Sequence, residues 1–115
     1  MNTYERAIQI YQVLIGAAHN RQLLTYDIVG KHIGVPRQGL ANHLVHILRH
    51  CEERDLPALT SICVSEKTGQ PGHGFTHLIP RTPEQLHRER EKVYAHKWYA
   101  EPPLTIERLE ALAQD

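Results

Sequence analysis

The chain has 115 residues, which suffice for one domain with its own hydrophobic core but hardly for two. Thirteen basic and thirteen acidic residues give a formal net charge of zero, so overall charge does not indicate a nucleic-acid partner. Two cysteines are too few for a disulfide framework, no apolar run is long enough to span a bilayer, and no signal-peptide pattern opens the chain. We therefore expect a cytoplasmic protein that does not associate with membranes.

The first predicted element is an amphipathic helix. Its apolar side chains recur at intervals of four and three residues, at Tyr4, Ile8, Tyr11, Ile15 and Ala18. This spacing places them on one face, which is expected to contact the core.

Two further helices joined by a tight turn are predicted next. Thr25 suits the cap of a short helix, Gly34 suits the turn, and Pro36 suits the first position of a third helix that runs to about residue 54. The inward side of the short helix is expected to consist of Ile28, Val29, His32 and Ile33. The core stripe of the third helix is expected to consist of Leu40, Leu44, Ile47, Leu48 and Cys51. The pattern at about residues 25–51 is typical of a helix-turn-helix.

Strand-like alternation follows Pro57. Residues 59–64 alternate, residues 66–74 are rich in turn formers, and residues 75–79 can return as a second strand. The sequence therefore predicts a β-hairpin in the position of a wing.

The C-terminal part predicts two more helices. Thr82 and Pro83 favour a helix start, Pro102 and Pro103 end that element, and Thr105 suits the cap of a last short helix. The predicted fold is mainly α with a small β-hairpin, a winged helix-turn-helix with extra N- and C-terminal helices. Residues 1–101 form the domain and residues 102–115 a C-terminal helical tail.

Charge is unevenly distributed along the neutral chain. Between residues 20 and 50, four basic residues (Arg21, Lys31, Arg37 and Arg49) accompany a single acidic one, Asp27. A local excess of this kind is what phosphate contacts need. The alternative is an ordinary solvated helix face.

Residues 22–70 resemble a known DNA-binding domain in the order of their elements. Thr25 and Tyr26 stand at a helix start, a glycine turn follows, and LANHL at 40–44 occupies the recognition helix. This order resembles the C-terminal domain of alkylguanine-DNA alkyltransferases and, within that superfamily, the alkyltransferase-like proteins. The resemblance implies binding to duplex DNA, with a regulatory, DNA-damage or defence role.

The chain departs from that family at its reactive motif. Alkyltransferases carry Pro-Cys-His-Arg after the recognition helix, whereas here Pro57 is followed by Ala58, Leu59 and Thr60. The resemblance therefore implies DNA binding without alkyl transfer. The arginine finger of the family aligns best with Gln38, and Arg37 stands one residue earlier.

The predicted DNA-binding residues fall into two groups. Arg37, Gln38 and Asn42 are expected to contact bases, because Arg, Gln and Asn make bidentate base contacts. The expected phosphate contacts are Lys31, His46, Arg49 and Lys67, together with Tyr26 by the family resemblance. We predict no catalytic residue, because no acid, base and nucleophile set is recognisable.

Three other features leave alternatives open. His43, His46 and His50 share one helix face and could bind a metal, but no metal motif matches, and we predict neither metal nor cofactor. Cys51 and Cys63 are expected in the core. Trp98 and Tyr99 could stack on a base or a partner, or Trp98 could cover the core.

A second function is compatible with the zero net charge and the charged C-terminal helices. The chain could be a protein-interaction module, a small regulatory partner of a larger enzyme or a homodimer.

Overall fold

The computed structural model describes residues 2–71 and 82–114. Its helices and strands are α1 (Thr3–His19), β1 (Leu24–Thr25), α2 (Tyr26–Ile33), α3 (Leu40–Glu53), β2 (Cys63–Val64), α4 (Pro83–Ala95) and α5 (Ile106–Ala113). Short 3₁₀ turns cover Arg37–Gly39, Leu59–Ile62 and Trp98–Ala100. The described chain is mostly helical, as predicted.

Helix α1 packs against α2, α3, α4 and α5 and forms the centre of the fold. It begins with a capping box: the Asn2 side chain accepts from the Glu5 amide at 2.9 Å, and the Glu5 carboxylate accepts from the Asn2 amide at 3.1 Å. Its predicted apolar face is confirmed, since Tyr11, Ile15 and Ala18 are buried. Most of the core lies between this face and α3.

The turn between α2 and α3 depends on two glycines. Gly34 has φ 74°, the left-handed conformation that favours glycine, as its predicted turn position requires. The Val35 amide donates to the Gly30 carbonyl at 2.9 Å, and a β-carbon at Gly30 would collide with the Val35 carbonyl oxygen. Small residues at both positions therefore let the chain reverse tightly before α3.

The helices on either side of this turn are only partly as predicted. The Thr25 hydroxyl caps α2 by accepting from the Ile28 amide at 3.2 Å, as predicted. The third helix begins later than expected, because Pro36 precedes the 3₁₀ turn and the α-helix starts at Leu40. Its predicted core stripe is confirmed, since all five of its residues are buried.

The inward side predicted for α2 is wrong at two of its four positions. Val29 and Ile33 are buried, but Ile28 is 43% exposed and His32 is also exposed. Residues four apart share a helix face, whereas consecutive residues differ by about 100°. Val29 and Ile33 therefore form one narrow buried stripe on the eight-residue α2. Ile28 and His32, which directly precede them in sequence, point to solvent.

The two strands pair in parallel, with Leu24 opposite Cys63 and Thr25 opposite Val64. The strand predicted over residues 59–64 is wrong for its first four residues, which form a 3₁₀ turn. Residues 58–64 are all buried, so the alternation of their types does not separate a solvent face from a core face. The predicted return strand at residues 75–79 lies outside the described residues.

The C-terminal helices cover the core from two sides. The Glu89 carboxylate on α4 accepts from the Ala58 amide at 2.8 Å, and Arg90 Nε donates to the Ser61 carbonyl at 2.9 Å. Helix α5 packs on α1 and α3, and Leu109 is buried there. Trp98 is buried as well, and its indole donates to the Val93 carbonyl at 2.8 Å, which fits the core-covering alternative. None of the helices in the described part of the chain is both long and apolar enough to cross a bilayer.

Candidate nucleic-acid interface

The polar residues predicted to contact bases are exposed at the beginning of α3. Arg37 and Gln38 lie in the 3₁₀ turn, and Asn42 lies in the first turn of α3. A guanidinium nitrogen of Arg37 lies 3.8 Å from an Asp27 carboxylate oxygen, with 50% and 37% of the two side chains exposed. An ion pair this exposed contributes little stability, so Arg37 can exchange it for another anion.

Helix α2 adds positive charge beside this surface. Lys31 and His32 are exposed in its last turn, directly before the turn that leads to Arg37. We call the exposed set Lys31, His32, Arg37, Gln38 and Asn42 the α2–α3 surface. Its side chains combine cations with amides that can both donate and accept hydrogen bonds.

The first turns of α1 cover one edge of α3. The Thr3 hydroxyl lies 2.8 Å from Nδ1 of His43, and the Tyr4 ring lies 5.0 Å from the His46 ring. His46, a predicted phosphate contact, is therefore half-buried. Burial, together with nearby Arg49, lowers the pKa of His46, so this imidazole is neutral at pH 7.

Arg49 lies apart from the α2–α3 surface on the C-terminal half of α3. It lines a cleft with Glu52, Glu53 and Leu112. The seven positions from Asn42 to Arg49 correspond to about 10 Å along the helix. Lys31 and Arg37 thus lie before the beginning of α3, whereas Arg49 lies beside Glu52 and Glu53 near its end.

Tyr26 and Lys67 lie at the edge of the small sheet. Parallel strands end on the same side, so Tyr26 directly after β1 and Ser65 directly after β2 leave the sheet together. The Ser65 amide donates to the Gln70 carbonyl at 2.8 Å, and this closed loop carries the exposed Lys67. Tyr26 is half-buried and packs against the core.

The three clustered histidines turn toward different partners. His43 contacts Thr3, His46 contacts Tyr4, and His50 is only 5% exposed, with its ring 5.8 Å from that of Tyr11. Over residues 2–71 and 82–114, no three metal-binding side chains converge.

His50 is the most strongly shifted histidine of the three. Burial, followed by the charges of Arg108 and Arg54, lowers its pKa to about 4. Burial also lowers the pKa of His43, with a contribution from Arg6. These three imidazoles therefore add no positive charge at neutral pH, and the permanent cations of the α2–α3 surface are Lys31 and Arg37.

The two cysteines are buried core residues, as predicted. Both are free thiols, and burial raises the pKa of Cys51 and of Cys63 to about 12. A thiol with such a pKa is protonated at neutral pH and a poor nucleophile.

The segment that stands in place of the alkyltransferase motif is covered by protein. Ala58, Leu59 and Thr60 are buried beneath α4, where Glu89 holds the Ala58 amide. No family model, curated protein or solved structure matches the chain. The alkyltransferase-like resemblance thus rests on the residues alone.

The sequence did not indicate two tertiary contacts that lie next to the α2–α3 surface. Arg6 of α1 donates to the carbonyl of Ile33 at the end of α2, and Arg37 pairs with Asp27 across the turn. These partners are separated by many residues and follow no helical spacing, so no local pattern indicates them. The Arg6 bond ties the end of α2 to α1, whereas the exposed Arg37–Asp27 pair adds little stability.

Proposed function

We propose that the protein binds duplex DNA without catalysis, with α2, the turn and α3 acting as a helix-turn-helix. The α2–α3 surface would face the DNA, and the first half of α3 would enter a groove. The observation that carries the proposal is the exposure of two cations, Lys31 and Arg37, next to the beginning of α3. Lys31 lies in the last turn of α2, and Arg37 lies in the 3₁₀ turn before α3. A phosphate backbone is attracted to these cations.

The types of the exposed side chains support groove contacts. Arg37, Gln38 and Asn42 have the donors and acceptors that read base edges. Lys31 would contact a phosphate. The loop that carries Lys67 would serve as the wing, with Tyr26 beside it at the sheet edge.

Direct binding tests this proposal. We expect a fluorescently labelled duplex to bind with micromolar or tighter affinity in an anisotropy titration, and the affinity to fall as salt is raised. Arg37→Ala should weaken binding about tenfold, the order expected for one lost base contact. Lys31→Ala should weaken binding to all sequences alike and reduce the salt slope by about 1.

Arg88→Ala is the matched control, because Arg88 is exposed on α4, away from the α2–α3 surface. It removes the same charge and should change affinity less than twofold. Absence of binding at low salt would overturn the proposal. Equal losses of DNA affinity in Arg37→Ala and Arg88→Ala would indicate nonspecific electrostatic attraction and not a specific binding surface.

One observation favours the second function, a protein-interaction module. Leu23 and Ile28 are large apolar side chains, 45% and 43% exposed, at the two ends of the short segment that contains β1. Exposed apolar neighbours of this kind occur at protein interfaces. If the chain forms a homodimer through them, Leu23→Ser with Ile28→Ser should convert it to a monomer in analytical ultracentrifugation and leave DNA binding unchanged.

A further inference from the structure

A cleft of about 440 Å³ opens between the end of α1 and the segment that follows α4. Ile15 and His19 line it from α1, and residues 94–100 line it from the other side. At about 1.5 Å per residue, His19 lies about 24 Å along α1 from Thr3. Thr3 contacts Asn42 of the α2–α3 surface, so the cleft is a separate site.

Aromatic rings dominate the wall of the cleft. Tyr99 is 67% exposed, more than any other large hydrophobic side chain in the described ranges. The His19 ring meets it at 5.7 Å and 71°, which supports it from the side. Trp98 is fixed by its hydrogen bond to Val93 and by the His96 ring at 4.6 Å. The cleft thus combines a rigid buried ring with an open one on which a flat molecule can stack.

The charge of the lining is positive. Lys97 lines the cleft, and no described lining residue is a carboxylate. Two glutamates lie nearby, but both are paired. Arg21 binds Glu91 at 2.9 and 2.7 Å, and Glu101 lies 2.9 Å from His96. An anionic group near Lys97 therefore meets an ammonium without a competing free carboxylate.

We propose that this cleft binds a planar aromatic anion with the size and chemistry of a mononucleotide. The aromatic ring stacks on Tyr99, and the anionic group contacts the ammonium of Lys97. The volume of about 440 Å³ suits a small organic ligand, since such pockets span roughly 300–1,000 Å³. The proposal does not depend on DNA binding, because it uses none of the residues of the α2–α3 surface.

Aromatic walls can also surround an organic cation, and the charge of the lining decides between the two ligands. A cation would use the free carbonyls that normally end a helix. Here the Lys92 carbonyl accepts from the His96 amide at 3.0 Å, and the Val93 carbonyl accepts from the Trp98 indole at 2.8 Å. Two of the last four carbonyls of α4 are thus occupied, and Lys97 forms no ion pair among the described residues, so its ammonium is available to an anion.

Tryptophan fluorescence tests the proposal directly, because Trp98 is the only tryptophan of the chain and lines the cleft. The protein is titrated with adenosine monophosphate, with adenosine, with inorganic phosphate and with choline. We expect a saturable change with adenosine monophosphate below millimolar concentration. Adenosine lacks the charge and phosphate lacks the ring, so each should bind at least about tenfold more weakly. Choline should give no saturable change.

Three variants locate the site. Tyr99→Ala and Lys97→Gln should each weaken binding of adenosine monophosphate about tenfold, and Tyr99→Phe should retain it because the ring remains. Both residues are exposed, so these variants should keep the wild-type circular dichroism spectrum. Arg88→Ala is the control, because it removes an exposed positive charge outside the cleft, and it should leave the affinity unchanged. No saturable response, stronger binding of choline, or an unchanged affinity in Tyr99→Ala would overturn the proposal.

Discussion

The two ends of α3 differ in what surrounds them. At the beginning, Gln38 and Asn42 are exposed and their side chains face solvent. At the end, His50 and Cys51 are buried beneath α1 and α5. One helix therefore presents a candidate binding surface at one end and is fixed in the core at the other. The difference shows that exposure at the beginning of α3 does not mean a lack of support, because Leu40 and Leu44 are buried on the opposite face of the same turns as Asn42.

The buried end is also the polar part of the interior. The Tyr11 hydroxyl, Nδ1 of His50 and Nε of Arg108 are buried and have no hydrogen-bond partner among the described residues. A buried polar group without such a bond destabilises a fold by about 1–3 kcal/mol. This end of α3 therefore combines apolar packing with buried polar atoms.

The largest effect is expected from truncating the core side of α3. Leu44 is 1% exposed, and Leu44→Ala should lower the free energy of unfolding by about 2–5 kcal/mol through lost burial and a cavity. Urea denaturation followed by circular dichroism measures the change. A loss below about 1 kcal/mol would mean that this stretch of α3 is not packed as described.

A smaller effect, dependent on pH, is expected from His50. Its pKa is about 4 in the folded protein and 6.5 in the unfolded chain, so between these values the unfolded chain binds more protons. Its contribution to stability is full above about pH 6.5 and is lost as the pH falls toward 4. The full difference amounts to about 3 kcal/mol. Arg108 and Arg54 oppose the protonated form, and Glu101 favours it.

His50→Gln separates this group from the others that titrate. Urea denaturation at several pH values between 4 and 7 should show a steep slope for the wild type and a shallower one for the variant. His43 and His46 have lowered pKa values too, so part of the slope should remain. Identical slopes would exclude His50 as the source of the pH dependence.

The smallest effect on stability is expected at the exposed beginning of α3. Asn42→Ala should change the free energy of unfolding by less than about 0.5 kcal/mol, because the side chain is exposed and alanine favours helix. The same variant should weaken duplex DNA binding about tenfold if Asn42 contacts a base. Paired urea and anisotropy measurements on Asn42→Ala and Leu44→Ala would show whether the exposed face of α3 determines DNA binding and its buried face determines stability. A large stability loss in Asn42→Ala would contradict that division.

Much of the helical part of the fold could be predicted from sequence, because the signals are local. The stripe at Leu40, Leu44 and Ile47 follows from helical spacing, and the caps at Thr25 and Thr82 follow from residue type at a helix start. The strand prediction at residues 59–62 fails because the surroundings of this segment are set by contacts distant in sequence. That segment is buried on all sides by α1, α3 and α4, so its alternation carries no information about which side is exposed.

The candidate surface was predictable in its residue types but not in its extent. Arg37, Gln38 and Asn42 could be chosen because they lie opposite the core stripe. That His46 is half-buried against Tyr4 could not be foreseen, since the two residues are brought together by the crossing of α1 and α3. The aromatic cleft likewise depends on the approach of His19 to Tyr99 across the whole chain.

The sequence by itself indicated the number of helices, the caps at Thr25 and Thr82, the Gly34 turn and the buried cysteines, because these signals lie in residue types and in neighbours within a few residues. It did not give the start of α3 or the buried face of α2 correctly. The tertiary structure alone decided the parallel pairing of β1 with β2, the neutral state of His50 and the cleft beside Tyr99. Each of these depends on contacts between residues far apart in the chain. Such contacts are set by how the helix faces pack together, and no local periodicity records that arrangement.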